Sequence, residues 1–269
     1  MILNLRTLAG SLALVCLCAS AAGQGASLTK DEIADAIRTD DFSIPMPAEL
    51  MAALEKQGKL DWSAMFRPPI PTNYPNRAQL ALNLGSLVAD GFIAVQAEDS
   101  RQVINLGKDI IQLAKNLGVP KDILTRSSSI SDFAERKQWD QLKEELEATQ
   151  NEVKEAMHGS KDSDLVTLVS VGGWARGMDV ISNYISAHYS ETSAKILRQP
   201  GIVQYLNRKL DSLPDKLHDD PKVKNVRMKT MQMEMIVSFP RDKAPELADV
   251  KKLSELATEL VKEISQKEK

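Results

Sequence analysis

The segment whose residues are most suited to binding or catalysis is 172–179, with the sequence Gly-Gly-Trp-Ala-Arg-Gly-Met-Asp. If this stretch is helical, each of its glycines costs about 1 kcal/mol relative to alanine, so another interaction must offset the loss. One interpretation is a close helix crossing. Gly173 and Gly177 share a helix face and would admit a neighbouring backbone, at Gly85 or Gly91.

A ligand groove is the second interpretation of the same stretch. The glycines would form its floor, Trp174 a wall, and Arg176 would bind an anion. Asp90 and Asp179 are further charges within strongly apolar segments, where an unpaired buried charge is costly. Two hypotheses therefore stay open: these four residues line a ligand site, or an Asp90–Arg176 bridge fixes the register of two helices.

A group of methionines near the C-terminal end is the second candidate site. On a helix, Met228, Met231 and Met235 share one face, and their thioethers are soft ligands of the kind that Cu(I) accepts. The alternative is that they fill gaps in the core, on the buried side of an amphipathic helix.

Other chemistry has little support in the residue pattern. The histidines at 158, 188 and 218 are far apart and lack the converging ligands that zinc requires. A Ser-x-x-Lys pattern at 27–30 has no Ser-Asp-Asn or Lys-Thr-Gly partner. The sequence therefore predicts binding rather than catalysis, and no resident cofactor.

The start of the chain, residues 1–21, is typical of a secretory signal peptide. Arg6 is followed by an apolar run at 7–17 and an Ala-Ser-Ala cleavage pattern. A membrane span needs about 20 apolar residues, more than this run offers. Cys16 and Cys18 follow large apolar residues, which fits a lipoprotein signal badly. We expect a periplasmic or secreted protein that, after cleavage, retains no cysteine and no membrane span.

Charge and composition narrow the function classes. The chain has 34 Lys and Arg, 37 Asp and Glu, a net charge of −3, and no basic block of the kind that binds nucleic acid. The predicted function is that of a non-enzymatic binding or scaffold protein of the cell envelope, whose partner is another envelope protein or a small molecule. The alternative is a carrier of a small ligand or Cu(I), using the groove between central helices or the methionines. The oligomeric state is not predicted.

The predicted fold is all-α, a multi-helix bundle or array of about nine or ten helices. Two apolar, glycine-containing helices, at 77–97 and 165–189, are expected at its centre, because helices this apolar must be covered on most sides. Residues 22–76 are predicted to form an N-terminal arm that ends in a Pro-rich connector at 67–76, and 77–269 a helical domain. The first central helix carries one narrow polar stripe: Gln79, Asn83, Ser86 and Asp90.

Start and stop signals define further helices. Asp99 can cap a helix that ends at Gly118, Ser190 can cap a short one, and Pro200 opens another. Apolar residues alternate at 231–239, a pattern compatible with a strand or a helix. The helix is favoured, because a lone strand would lack pairing partners.

Overall fold

The computed structural model describes most of the chain after the first 46 residues. The described residues are 47–56, 58, 60–119, 124–158 and 163–267. The predicted signal peptide and the first part of the arm, 22–46, lie outside them. Every regular element within the described residues is helical, which confirms the prediction of an all-α, multi-helix fold.

The α-helices are numbered here in chain order. They are α1 (Pro47–Glu55), α2 (Arg77–Gln96), α3 (Ser100–Leu117), α4 (Ser127–Glu135), α5 (Trp139–His158), α6 (Ser163–Ala187), α7 (Glu191–Ala194), α8 (Pro200–Asp211), α9 (Asp215–His218), α10 (Pro221–Val237) and α11 (Leu247–Ser265). Short 3₁₀ turns occupy Trp62–Met65 and Lys195–Leu197.

Side-chain and backbone caps explain where several helices begin and end. The Asp99 carboxylate accepts from the amide of Gln102, 3.0 Å away, at the start of α3. Gly118 closes α3 at φ 86°, a left-handed conformation that favours glycine. Ser190 forms a capping box with Ser193 at α7. These boundaries agree with the sequence predictions, and α10 confirms that 231–237 is helical.

The core is organised around α2 and α6, which pack against each other; α3 lies against α2, and α11 against α6. Among the described residues, α2 is the one helix long and apolar enough to cross a membrane by length and composition, and 94% of its most apolar window is buried inside the protein. Its apolar side chains therefore contact other helices of the same chain.

The backbones of α2 and α6 cross at closely approaching glycines. A Cβ added to Gly85 would lie 2.7 Å from the carbonyl carbon of Val169 and 2.8 Å from the amide nitrogen of Gly173. A Cβ added to Gly172 would lie 2.7 Å from the carbonyl carbon of Leu82. A close crossing is therefore present, and Gly172 contributes to it beside the predicted Gly173.

The segment that precedes α2 lies against the central helices. Residues 60–76, called the strap below, follow α1, whose Met51 and Leu54 are completely buried. Trp62 and Tyr74 of the strap are also buried, and the Tyr74 hydroxyl donates to the carbonyl of Ser265, 2.9 Å away. The strap and α1 thus contribute to the same core as α2, while the domain boundary at residue 77 stays a prediction.

Candidate functional site

The polar stripe of α2 has two halves with different partners. In the first half, the Gln79 side-chain amide donates to the carbonyls of Ile264 (2.9 Å) and Gln266 (2.8 Å). The Asn83 side-chain amide donates to the same Ile264 carbonyl at 2.7 Å. The last carbonyls of a helix lack intrahelical donors, so this half of the stripe caps the end of α11.

The second half of the stripe belongs to a buried charge network formed by Arg67, Asp90, Arg176 and Asp179. Arg176 Nε donates to Asp90 Oδ1 at 2.7 Å, and its Nη1 donates to Asp179 Oδ2 at 2.6 Å. Arg67 Nε donates to the other oxygen of Asp90, Oδ2, at 2.7 Å. Two guanidiniums and two carboxylates are thus linked in a row, and their formal charges cancel.

Burial determines how much each charge in this network depends on its partners. Asp90 and Arg176 are 5% exposed and Asp179 is 7% exposed, so water solvates none of them well. Burial opposes the charge of Arg176, but Asp90 and Asp179 outweigh it and raise the pKa of its guanidinium. Burial dominates at Arg67 and lowers the pKa of that guanidinium. Removing one partner of an ion pair that is so shielded from water is destabilising, because it leaves the other charge buried and uncompensated.

Further hydrogen bonds tie the charge network to the strap and α2, and extend it to α11. Arg176 Nη2 donates to the carbonyl of Met65 at 2.8 Å, and Arg67 Nη2 donates to Ser86 Oγ at 2.8 Å. The Thr258 hydroxyl of α11 donates to Asp179 Oδ1 at 2.6 Å. The network therefore joins the strap, α2, α6 and α11, and every guanidinium nitrogen of Arg176 is used.

Arg67 is the member of this network that the sequence analysis missed. It lies at the start of the Pro-rich connector, where residue spacing gives no sign of its partner 23 positions away. The sequence feature that could have indicated such a partner is Asp90 itself, because a carboxylate inside an apolar helix requires a cation nearby. Arg67 Nη1 is buried and has no hydrogen-bond partner among the described residues, so its guanidinium is not fully satisfied.

Trp174 lies apart from the charge network, although it was predicted to line the same ligand site. Its indole nitrogen donates to Gln199 Oε1 at 3.1 Å in a buried contact before α8. The structure therefore brings together three of the four predicted ligand-site residues, Asp90, Arg176 and Asp179, and pairs them with one another. Backbone of α2 lies against Gly172, so this geometry favours the helix-register interpretation over a groove floored by glycine.

The predicted methionine site lies on the surface of α10. Met228, Met231 and Met235 are 51%, 50% and 76% exposed, whereas Met233 is completely buried. The interpretation that the three fill gaps in the core is therefore wrong. The buried residues of α10 are others at helical spacing: Val223, Val226, Lys229, Thr230, Met233 and Val237. The three exposed residues are called the methionine face below.

A cleft lies where the strap passes over α2 and α3. Its volume is about 80 Å³, and its lining includes Phe66, Leu87 and Leu106 on the apolar side. Asn105 and Asp109 of α3 line it on the polar side. Burial raises the pKa of the Asp109 carboxyl. This space, called the strap cleft below, reaches the outer end of the charge network at Arg67 and Asp90.

Comparison with known proteins gives no family for this chain. It matches no protein-family model, no curated protein and no solved structure. Within the described residues, no group of three or more His, Cys, Asp or Glu side chains is placed to hold a metal ion. Its fold and its candidate site describe it as an all-α protein with a buried charge network.

Proposed function

We propose that this is an exported protein of the cell envelope that acts by binding, and that its methionine face contacts an apolar surface of another protein. The N-terminal pattern of basic residue, apolar run and small-residue cleavage motif supports export. The observation that carries the binding proposal is the exposure of Met228, Met231 and Met235 along one side of α10.

Aligned exposed methionines are suited to protein contact for two reasons. An apolar surface that faces water is unfavourable and gains free energy when a partner covers it. The unbranched thioether side chain also adapts its shape to different partners.

Two cations beside the methionine face are already paired with carboxylates. Lys224 pairs with Asp219 at 2.9 Å, and Arg227 pairs with Asp211. Helical spacing places Lys224 four residues before Met228, and therefore on the same side of α10. An apolar centre with a polar rim is the usual composition of a protein interface.

Photo-crosslinking tests this proposal in cells that export the full-length protein. We expect a photoreactive residue at position 231 to give a discrete crosslinked protein, since that position would lie inside the interface. The same residue at Lys252, exposed on α11, is the control and should give no such product. Identical product patterns from both positions, or none from position 231, would contradict the proposal.

Cu(I) binding by the methionine face is a second candidate function. It is favoured by the same exposure, because three thioethers at spacings of three and four residues are open to a metal ion. A carrier would hold the ion through Met228, Met231 and Met235 together.

A titration of the purified protein with Cu(I) separates the two candidates. A carrier should lose about tenfold or more in affinity when Met231→Leu or Met235→Leu removes one thioether, since the apolar bulk is kept while a ligand is lost. Equal, weak binding by wild type and both variants would rule out the metal site. The protein-contact proposal would survive that result, because leucine preserves an apolar face.

A further inference from the structure

We propose that the strap cleft binds a primary ammonium group carried on a short alkyl chain, with the Asp109 carboxylate as its counter-ion. This site is independent of the methionine face, and its failure would leave the proposed function untouched.

The cleft presents both surfaces that such a ligand needs. Leu87 of α2, Leu106 of α3 and Phe66 of the strap supply apolar walls for the methylene groups. Gln102 and Asp109, seven residues apart, lie on the same side of α3 and supply side-chain oxygens for the ammonium. The site is thus built from three segments that the fold brings together.

Among the described charged residues that line the cleft, Asp109 is the one whose charge is not compensated. Arg67 and Asp90 also line the space, but their charges are paired within the charge network, whose formal charges cancel, although Arg67 Nη1 has no hydrogen-bond partner in the described part of the chain. Asp109 has no cationic partner among the described residues, and burial alone accounts for the raised pKa of its carboxyl. A bound cation would supply the missing partner and stabilise the ionised form.

The size of the cleft limits the ligand. Since a water molecule requires roughly 10–15 Å³ on this measure, a volume of about 80 Å³ accommodates only a few heavy atoms. A short alkylammonium fits this description, whether it is a free amine or the end of a lysine side chain. A nucleotide or a comparably large cofactor is too big.

The proposal is tested by NMR titration of the full-length, ¹⁵N-labelled protein with n-butylammonium chloride. Saturable shifts are expected at the amides of 102–109, with dissociation constants on the order of millimolar for one ion pair in a half-open site. The Asp109→Asn variant should weaken binding at least about tenfold, because it keeps the shape and removes the charge.

Two controls make the result specific to the carboxylate. Asp132→Asn, an equal charge change at an exposed position on α4, should leave the affinity unchanged. n-Butanol, which has the chain without the charge, should bind more weakly than butylammonium. The spectrum of Asp109→Asn without ligand shows whether that variant is folded, and native dispersion is expected, since a carboxylate disfavoured by burial is being removed.

The source of the ammonium group is distinguished by a capped Gly-Lys-Gly peptide. Asp109-dependent binding of both probes supports a lysine side chain of a partner, and binding of butylammonium alone supports a free amine. The proposal is overturned if butylammonium causes no saturable shift, if Asp109→Asn binds it as well as wild type does, or if n-butanol binds equally well.

Discussion

Gly85→Ala is expected to lower the free energy of unfolding by about 3 kcal/mol or more, at the upper end of the range for overpacked cores. The new Cβ would lie 2.7 Å from the Val169 carbonyl carbon and 2.8 Å from the Gly173 amide nitrogen. Both neighbours are backbone atoms, which cannot rotate away as a side chain can. The two central helices would have to separate, and contacts along the whole α2–α6 interface would weaken.

The matched control for this prediction is Gly107→Ala. Gly107 is also inside a helix, α3, but a Cβ added there would meet nothing within 4 Å. Alanine should therefore stabilise the protein by up to about 1 kcal/mol, through helix propensity alone. Urea unfolding followed by circular dichroism measures both. If Gly85→Ala is as well tolerated as Gly107→Ala, the close crossing is not present in solution.

Arg176→Met is expected to lower the free energy of unfolding by about 3–5 kcal/mol, because it leaves buried carboxylates without their main cation. Asp90 would keep Arg67, and Asp179 would keep the hydroxyl of Thr258, so the loss is not that of an isolated charge. The additional change Asp179→Asn should recover part of the loss, since it removes one of the carboxylates left behind.

An exposed ion pair provides the comparison for Arg176. Lys224 pairs with Asp219 on the surface, and Lys224→Met should change stability by no more than about 0.5 kcal/mol. Both variants replace a cation with methionine, so the difference between them isolates the effect of burial. Similar small losses in the two variants would show that the charge network is solvated.

The central helices were predictable because their sequences impose strong physical requirements. Segments as apolar as α2 and α6 must be covered by other elements, and glycine within them indicates close backbone approach. Asp90 and Arg176 could be paired in advance, since each needed an opposite charge inside an apolar helix. Asp99 and Gly118 set the ends of α3 through local chemistry that depends on a few neighbouring residues.

The remaining features depend on contacts between distant segments. Arg67 reaches Asp90 from the strap, and no local pattern in a Pro-rich stretch reveals such a partner. The side of α10 that is buried was also not determined by periodicity, because apolar residues occupy both of its faces. Met233 packs inward while Met231 faces solvent, and only the positions of α8 and α11 decide between them.

The strap cleft could not be predicted from the sequence either, because it also depends on contacts between distant segments. Its walls come from Phe66, Leu87 and Asp109, which belong to three different elements. Each residue is unremarkable in its own sequence context. Their combination into one space requires the path of the strap across α2 and α3, which local propensities do not define.

The most direct test of the central proposal is to measure the affinity of the crosslinked partner for a variant whose methionine face is made polar. Met228, Met231 and Met235 are replaced together by glutamine, which keeps the side-chain length and removes the apolar surface. We predict at least about tenfold weaker binding with a free energy of unfolding within about 0.5 kcal/mol of wild type. Unchanged affinity in a variant of unchanged stability would contradict the assignment of this face as the binding surface.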